Sequence, residues 1–211
     1  MSTHKYVTLN NGNKCPVIGI GTFVISPADA EVSVREALKM GYSCVDTAAA
    51  YQNERACGRG IKASGVARED VFLSTKLWPS EYENENAVDE TLERLGVDYV
   101  DLLYLHQPAG NWLAGYRMLE KAYKDGKIKA IGISNFEGKY IAELETKWEI
   151  APQFILVEAH PYFPQDELRK TLDKYGIRLM AWYPLGHGDI SLSISQSMPG
   201  EVFSRSGRRC I

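Results

Sequence analysis

Nowhere in this chain are there roughly eighteen consecutive apolar residues, the length a helix needs to cross a bilayer. Its first residues, Met1 to Lys5, are polar and lead into a strand-like segment without a signal-peptide pattern. Together these absences predict a cytoplasmic protein with no membrane partner. Charge of one sign is missing too: 24 Lys and Arg are scattered among 27 Asp and Glu, for a net charge of −3. Without a basic stripe or a basic, aromatic-rich patch to follow phosphates, nucleic acid is not an expected partner. The four cysteines, Cys15, Cys44, Cys57 and Cys210, are widely spaced and form no C-x-x-C. That excludes a zinc site or a disulfide framework and leaves buried or incidental thiols. A phosphate-binding glycine loop is likewise lacking. Gly19-Ile20-Gly21 has no third small residue, and Gly58-Arg59-Gly60 falls inside a helix-like segment, so both read as turn or packing glycines. His160 and His187 show no metal-ligand spacing with Asp46 or His106, and no metal is expected.

What is present is regular. With 211 residues, 45% hydrophobic and 24% charged, the chain fits one globular domain with a sizeable core. Residues 6–9 and 15–18, separated by Asn10-Asn11-Gly12, read as an opening hairpin, because Asn-Gly accepts the positive φ of a tight turn. Short apolar runs at 17–21, 44–47, 71–75, 100–106, 130–134, 154–158 and 179–183 then alternate with amphipathic segments at 27–40, 54–63, 85–95, 112–125, 138–148 and 165–175. Strict strand–helix alternation predicts an α/β protein with a parallel sheet covered by helices, either barrel or doubly wound. From Asp189 onward the pattern stops in a run of serines ending at Arg205-Ser206-Gly207-Arg208-Arg209-Cys210-Ile211. The expected organisation is a barrel-like unit over 1–188 and an atypical tail over 189–211.

Four polar side chains stand at or just beyond the C-terminal ends of successive candidate strands: Asp46, Tyr51 in the loop that follows it, Lys76 and His106. In a parallel barrel that end carries the active site. Singly, each has a structural alternative, such as a cap for Asp46 or a solvated charge for Lys76. Jointly they can move a proton to a carbonyl oxygen. A phenol of pKa about 10 needs a neighbouring cation to act near neutrality. Lys76 supplies one, Asp46 holds it, and His106 can hydrogen-bond the carbonyl oxygen. None of the four can donate hydride, so the reductant must be a cofactor.

The blocks Gly19-Ile20-Gly21-Thr22-Phe23, Val45 to Glu54, Ser74-Thr75-Lys76-Leu77-Trp78, Leu103 to Pro108 and Ile131 to Phe136 resemble, in order, the signature segments of the aldo-keto reductases. The resemblance implies a (β/α)8 TIM barrel with an N-terminal β-hairpin, here incomplete at seven of eight strands. It implies an NADPH-dependent oxidoreductase that passes hydride to an aldehyde or ketone, a small-molecule carbonyl. By the resemblance, Tyr51 is the general acid, Lys76 lowers its pKa, Asp46 partners Lys76, and His106 orients the carbonyl. Gly21, Thr22, Asp46, Ser134, Asn135, Trp182, Tyr183 and Leu185 are implied at the cofactor, with Trp182 as the aromatic that stacks on nicotinamide. Phe23 and Trp78, with His106, are implied at the substrate, and Trp112 is a further candidate.

The sequence departs from the family in three places. Leu156 stands where the family has a glutamine that helps hold the carboxamide. Trp182 replaces a more usual tyrosine. The family's eighth strand and its basic loop for the adenosine phosphate have no counterpart, and Arg205, Arg208 and Arg209 do not match that loop. The rival expectations are therefore a catalytically inactive barrel fragment, monomeric or weakly self-associating through an open sheet edge, and a cofactor-sensing regulatory subunit.

Overall fold

A computed structural model describes residues 5–185. The expected tail over 189–211, with Cys210, its three arginines and nearby His187, lies outside the described residues. An antiparallel hairpin opens the fold: β1 (Tyr6–Thr8) pairs with β2 (Lys14–Pro16), Tyr6 opposite Pro16. The alternating part follows as β3 (Ile20–Gly21), α1 (Pro27–Lys39), β4 (Cys44–Asp46), α2 (Glu54–Ser64), β5 (Phe72–Leu77), α3 (Ala87–Leu95), β6 (Leu102–Leu105), α4 (Trp112–Lys124), β7 (Ile131–Ser134), α5 (Lys139–Glu145), β8 (Phe154–Glu158), α6 (Asp166–Asp173) and β9 (Arg178–Trp182). Strands β3 to β9 are all parallel and lie side by side in chain order. A doubly wound sheet reverses its strand order at a switch point. This order never reverses, so the sheet curls as the wall of a (β/α)8 barrel does.

Local chemistry sets the helix limits. Ser26 caps α1 by accepting from the Asp29 amide at 3.2 Å, with Pro27 in the first turn, where its missing N–H costs nothing. Helices α2 and α3 stop at Gly65 and Gly96, whose φ values of 76° and 67° suit a residue without Cβ.

Strand parity divides the interior into two layers. Val45, Leu73, Leu103, Leu105, Ile131, Ile133, Ile155, Val157 and Leu179 face outward, in one large cluster with the buried sides of the helices. Cys44, Phe72, Leu102, Tyr104, Ala130, Phe154 and Leu156 face inward and form a second cluster with Leu9 and Cys15 of the hairpin. The hairpin thus plugs the N-terminal end of the sheet. Its asparagines fasten it there: Asn10 donates to the Pro152 and Tyr175 carbonyls, both at 3.1 Å, and Asn11 and Asn13 donate to that of Lys129.

The seven strands and six helices sit where periodicity predicts them, with three differences. The Val17 amide donates to Lys5 and so joins the hairpin ladder, leaving β3 only two residues. Strand β5 runs on to Leu77, which places Lys76 inside a strand and not beyond its end. Tyr183 leaves β9 with φ 62°. The glycines of α2 are packing glycines: a Cβ on Gly58 would lie 1.9 Å from the Leu95 carbonyl oxygen, and one on Gly60 2.7 Å from that of Glu31. Cys15, Cys44 and Cys57 are buried free thiols.

Inside the sheet, Tyr104 occupies the space that Gly132 leaves on the adjacent strand. A Cβ at Gly132 would fall 2.2 Å from the Tyr104 ring, opposite which it is registered. Gly132→Ala is expected to lower unfolding stability by about 1–3 kcal/mol through overpacking, measured by urea denaturation. In the double variant with Tyr104→Leu the cost should fall short of the sum of the two single changes. Additive costs would show that the two side chains do not share that space.

Candidate active site

The inward parity that builds the inner cluster continues upward into polar residues. On successive strands the inward positions nearest the C-terminal end are Asp46, Ser74 and Lys76, Ser134, Glu158 and Trp182, with His106 one residue beyond β6. Parallel strands in register bring these side chains to one rim: Asp46 lies opposite Ser74, Lys76 opposite Tyr104, and Ser134 opposite Leu156.

At the centre is an ion pair. The Lys76 ammonium is 2.6 Å from Asp46 Oδ2 and donates to the Thr47 carbonyl at 2.7 Å, while the Ser74 hydroxyl donates to Asp46 Oδ1 at 2.6 Å. The Lys76 side chain is only 1% exposed. Burial on its own drives such an amine toward neutrality, but the charge and hydrogen bond of the Asp46 carboxylate, with the neighbouring Tyr51 hydroxyl, outweigh it and hold the Lys76 pKa above its ordinary value. The amine is therefore held as an ammonium at neutral pH.

Tyr51 ends the short 3-10 turn after β4, and its ring centre is 5.0 Å from the Lys76 ammonium. Burial raises the phenol pKa; the charge and hydrogen bond of Lys76 pull it down, and Asp46 pushes it up again. Lys76 acts in the expected direction, yet the net shift is upward. Burial outweighs the cation, so the Tyr51 phenol stays neutral, while Lys76 itself acts to lower its pKa as expected. His106 stands beside it, ring centres 5.8 Å apart, and the Trp78 ring meets His106 edge-on at 5.0 Å. Burial first, then the positive charge of Lys76, lower the imidazole pKa to about 4. His106 is neutral at pH 7, and its Nδ1 is buried without a partner.

Asn53 holds the turn that carries Tyr51. It accepts from Thr47 at 2.8 Å and donates to the carbonyls of Thr22 and Ile25. Those bonds tie the loop after β4 to the loop after β3, whose Phe23 ring lies 5.1 Å from that of Tyr51. Neither Asn53 nor Ser74 stands out in the sequence. For Ser74 a signal exists, since it shares the inward parity of Lys76 two positions later. Asn53 acts through a contact that spans 31 residues, which no local pattern marks.

The positions implied for a cofactor line the rim nearby. A Cβ on Gly21 would meet nothing within 4 Å, so the space above it is open. Ser134 closes β7, and Asn135 follows in the left-handed region at φ 63°. The Asn135 amide donates weakly to the His106 carbonyl at 3.5 Å and accepts from the Trp182 indole at 3.1 Å, which sets the half-exposed Trp182 ring against it. One Asn135 N–H thus stays available beside an accessible aromatic face, a setting that fits a planar amide-bearing ring. Tyr183 packs edge-on to Trp182, ring centres 6.0 Å apart, and Leu185 is exposed. Thr22 is different: its amide, carbonyl and hydroxyl are all engaged with Asp46 and Asn53. It shapes the rim without offering a free group to it. Leu156 is buried in the inner cluster and adds no amide. Trp112 packs against Phe136 and beneath the Lys147 ammonium, so its ring contacts belong to the helical layer. His160 is paired with Glu158 at 3.1 Å, and among the described residues no three His, Cys, Asp or Glu side chains gather in a metal-binding group. No helix among them is long and apolar enough to cross a membrane.

Known proteins resemble this chain in sequence and fold. The model of the Aldo/keto reductase family matches residues 17–204. Glyoxal reductase of Bacillus subtilis is 44% identical over 189 residues, which is 87% of this chain and 68% of the relative. The 9,11-endoperoxide prostaglandin H2 reductase of Trypanosoma cruzi is 37% identical over 97% of this chain and 74% of its own length. A crystal structure of an aldo/keto reductase from Brucella melitensis superposes with a TM-score of 0.85 at 42% identity, covering 92% of this chain and 79% of that one.

The depressed His106 pKa has a thermodynamic consequence. As pH falls through about 6.5 the unfolded chain takes up a proton on this imidazole, but the folded chain does not until about 4. The unfolded state binds more protons in that window, so stability falls with pH there. His106→Gln should flatten this part of the stability–pH curve. NMR titration of the wild-type ring should give a midpoint near 4, and a midpoint at the ordinary imidazole value would refute the burial argument.

Proposed function

Because the chain belongs to the aldo/keto reductase family of oxidoreductases, whose members generally use nicotinamide cofactors, we propose that it is an NADPH-dependent reductase of small aldehydes and ketones. The observation that carries this reading is the buried Lys76–Asp46 pair beneath a neutral Tyr51, beside a neutral His106. A reduced nicotinamide supplies hydride when bound. Everything else asked of the site is proton handling and positioning.

Tyr51 holds the proton to be delivered. Reduction turns a carbonyl oxygen into an alkoxide-like one, and the Tyr51 hydroxyl protonates it. The phenolate left behind lies next to the Lys76 ammonium, whose charge Asp46 and the Thr47 carbonyl keep in place. The cation therefore acts mainly after the proton has moved, which is where differential stabilisation raises the rate. His106, being neutral, orients the carbonyl oxygen as a hydrogen-bond donor without competing as an acid. Phe23 and Trp78, both exposed aromatics flanking Tyr51 and His106, wall a site for the apolar part of the substrate. Glyoxal, in the name of the Bacillus relative, is a small aldehyde, consistent with a small-carbonyl substrate.

Gly21, Ser134, Asn135 and Trp182 would hold the nicotinamide end, with Tyr183 and Leu185 beside them and Thr22 and Asp46 shaping the rim. Leu156 supplies no carboxamide partner, so the amide of the ring depends on Ser134 and Asn135. On this reading the protein works in the cytoplasm on a diffusible substrate.

Tyr51→Phe should lower kcat for a small aldehyde by about 100- to 10,000-fold, the range of a lost general acid. NADPH binding, followed by quenching of tryptophan fluorescence, should stay within about twofold, since the phenol hydroxyl is aimed at substrate. No NADPH-dependent quenching in the wild type would refute the assignment, and binding with unchanged turnover in Tyr51→Phe would refute the role of Tyr51.

A further inference from the structure

Behind the sheet, on the side facing the helices, lies a second set of charges that proton transfer does not use. Thr75 precedes Lys76 and therefore points the opposite way. Its hydroxyl donates to Glu54 Oε1 at 2.6 Å, and the other oxygen of Glu54 accepts from Arg94 Nε at 2.5 Å. The Glu54 carboxyl is buried, 2% exposed, at the first position of α2, three residues after Tyr51. Arg94, in the last turn of α3, uses its other arm as well: Nη2 donates to Glu81 Oε1 at 3.2 Å. Glu81 in turn accepts from the Trp78 amide at 2.8 Å, and its own amide donates to the Trp78 carbonyl at the same distance. Arg94 thus bridges two carboxylates, one at the start of α2 just after the turn that carries Tyr51, the other closing the turn that carries Trp78.

Trp78 has few other restraints. It is 41% exposed, and its indole meets His106 edge-on. A large side chain on a short turn keeps such an orientation only if the turn is fixed. Glu81 fixes it, and Arg94 fixes Glu81. A guanidinium suits the task because its planar fork reaches two carboxylates at once, whereas an ammonium offers a single charge on a flexible stem.

We propose that Arg94 is a positioning residue for substrate selection: by bridging Glu54 and Glu81 from behind the sheet, it locks the Trp78 turn and sets the Trp78 indole as a fixed wall against His106 and the bound carbonyl. This inference rests on the reductase reading for its kinetic consequence but not for its structural one. Glu54 and Arg94 touch no reacting atom; they act through Glu81 and Trp78.

The test uses full-length protein labelled with 5-fluorotryptophan, which reports its four tryptophans separately, with Trp78→Phe assigning the Trp78 line. Arg94→Lys keeps a positive charge beside buried Glu54 but cannot span both carboxylates. Glu81→Ala cuts the brace at its less buried end and serves if Arg94→Lys does not fold. In either variant the Trp78 line should shift or broaden while those of Trp112 and Trp148 stay in place. The KM for a small aldehyde should rise about 3- to 10-fold, the scale of one hydrogen bond, with kcat and NADPH affinity within about twofold. In a Trp78→Phe background, Arg94→Lys should leave KM unchanged. An unmoved Trp78 line in a folded variant, or an undiminished KM effect without Trp78, overturns the proposal. Wild-type protein that reduces no carbonyl would sink the reductase reading alone, because the fluorine spectrum decides the brace without turnover.

Discussion

The site depends on one ion pair that water cannot reach from the lysine side. An ammonium removed from solvent loses several kcal/mol of hydration, and it stays charged only if its protons are met and its charge balanced in place. Lys76 achieves this with Asp46 and the Thr47 carbonyl, and Ser74 fixes the second Asp46 oxygen so that the carboxylate cannot swing away. Every other electrostatic property of the rim follows from that fixed charge and from burial. It helps keep His106 neutral, and it restrains the rise of the Tyr51 phenol that burial causes. Removing either partner would leave an uncompensated charge under the site, so the pair is at once a structural and a chemical constraint.

Strand parity turns this constraint into an architecture. Because side chains alternate, β5 presents Ser74 and Lys76 to the interior and Thr75 to the helices. One strand thereby serves two charge systems on opposite sides of the sheet, separated by the backbone. Toward the N-terminal end, the same inward positions hold Phe72, Leu102, Ala130 and Phe154 and make a packed floor closed by the hairpin. Polar chemistry is confined to the upper rim because the layer beneath it is apolar and filled, with Tyr104 occupying the volume that Gly132 leaves.

Much of this was legible in the amino-acid order. The strand–helix alternation is written in periodicity, and Asp46, Tyr51, Lys76 and His106 could be placed at one end of the sheet from their positions relative to apolar runs. What escaped was whatever depends on orientation or on contacts between distant segments. Lys76 lies within β5, since nothing in Thr75-Lys76-Leu77 announces that pairing continues to Leu105 of the neighbouring strand. The net upward shift at Tyr51 could not be read because it balances burial against charge, and burial is a property of the folded chain. Thr22 sits in a matching segment, but only its engagement with Asn53 reveals that its polar groups are spent. The bond from the Trp182 indole to Asn135 spans 47 residues, and Arg94 looks like any exposed helical cation until Glu54 and Glu81 are seen on either side of it.

The hairpin plug also bears on how the molecule is assembled. Its asparagine side chains find their carbonyl partners 116 to 165 residues further along the chain, and the Arg178 guanidinium reaches back 170 residues to Thr8. The hairpin precedes the sheet in the chain but is among the last elements to be seated, since its docking surface includes the bases of β7, β8 and β9. Until those strands emerge, Leu9 and Cys15 have only part of the inner cluster to bury against. Contacts of such long sequence separation slow folding and prolong the exposure of apolar surface. The element that closes the floor of the sheet is therefore fully seated only once β9, the seventh strand of that sheet, is in place.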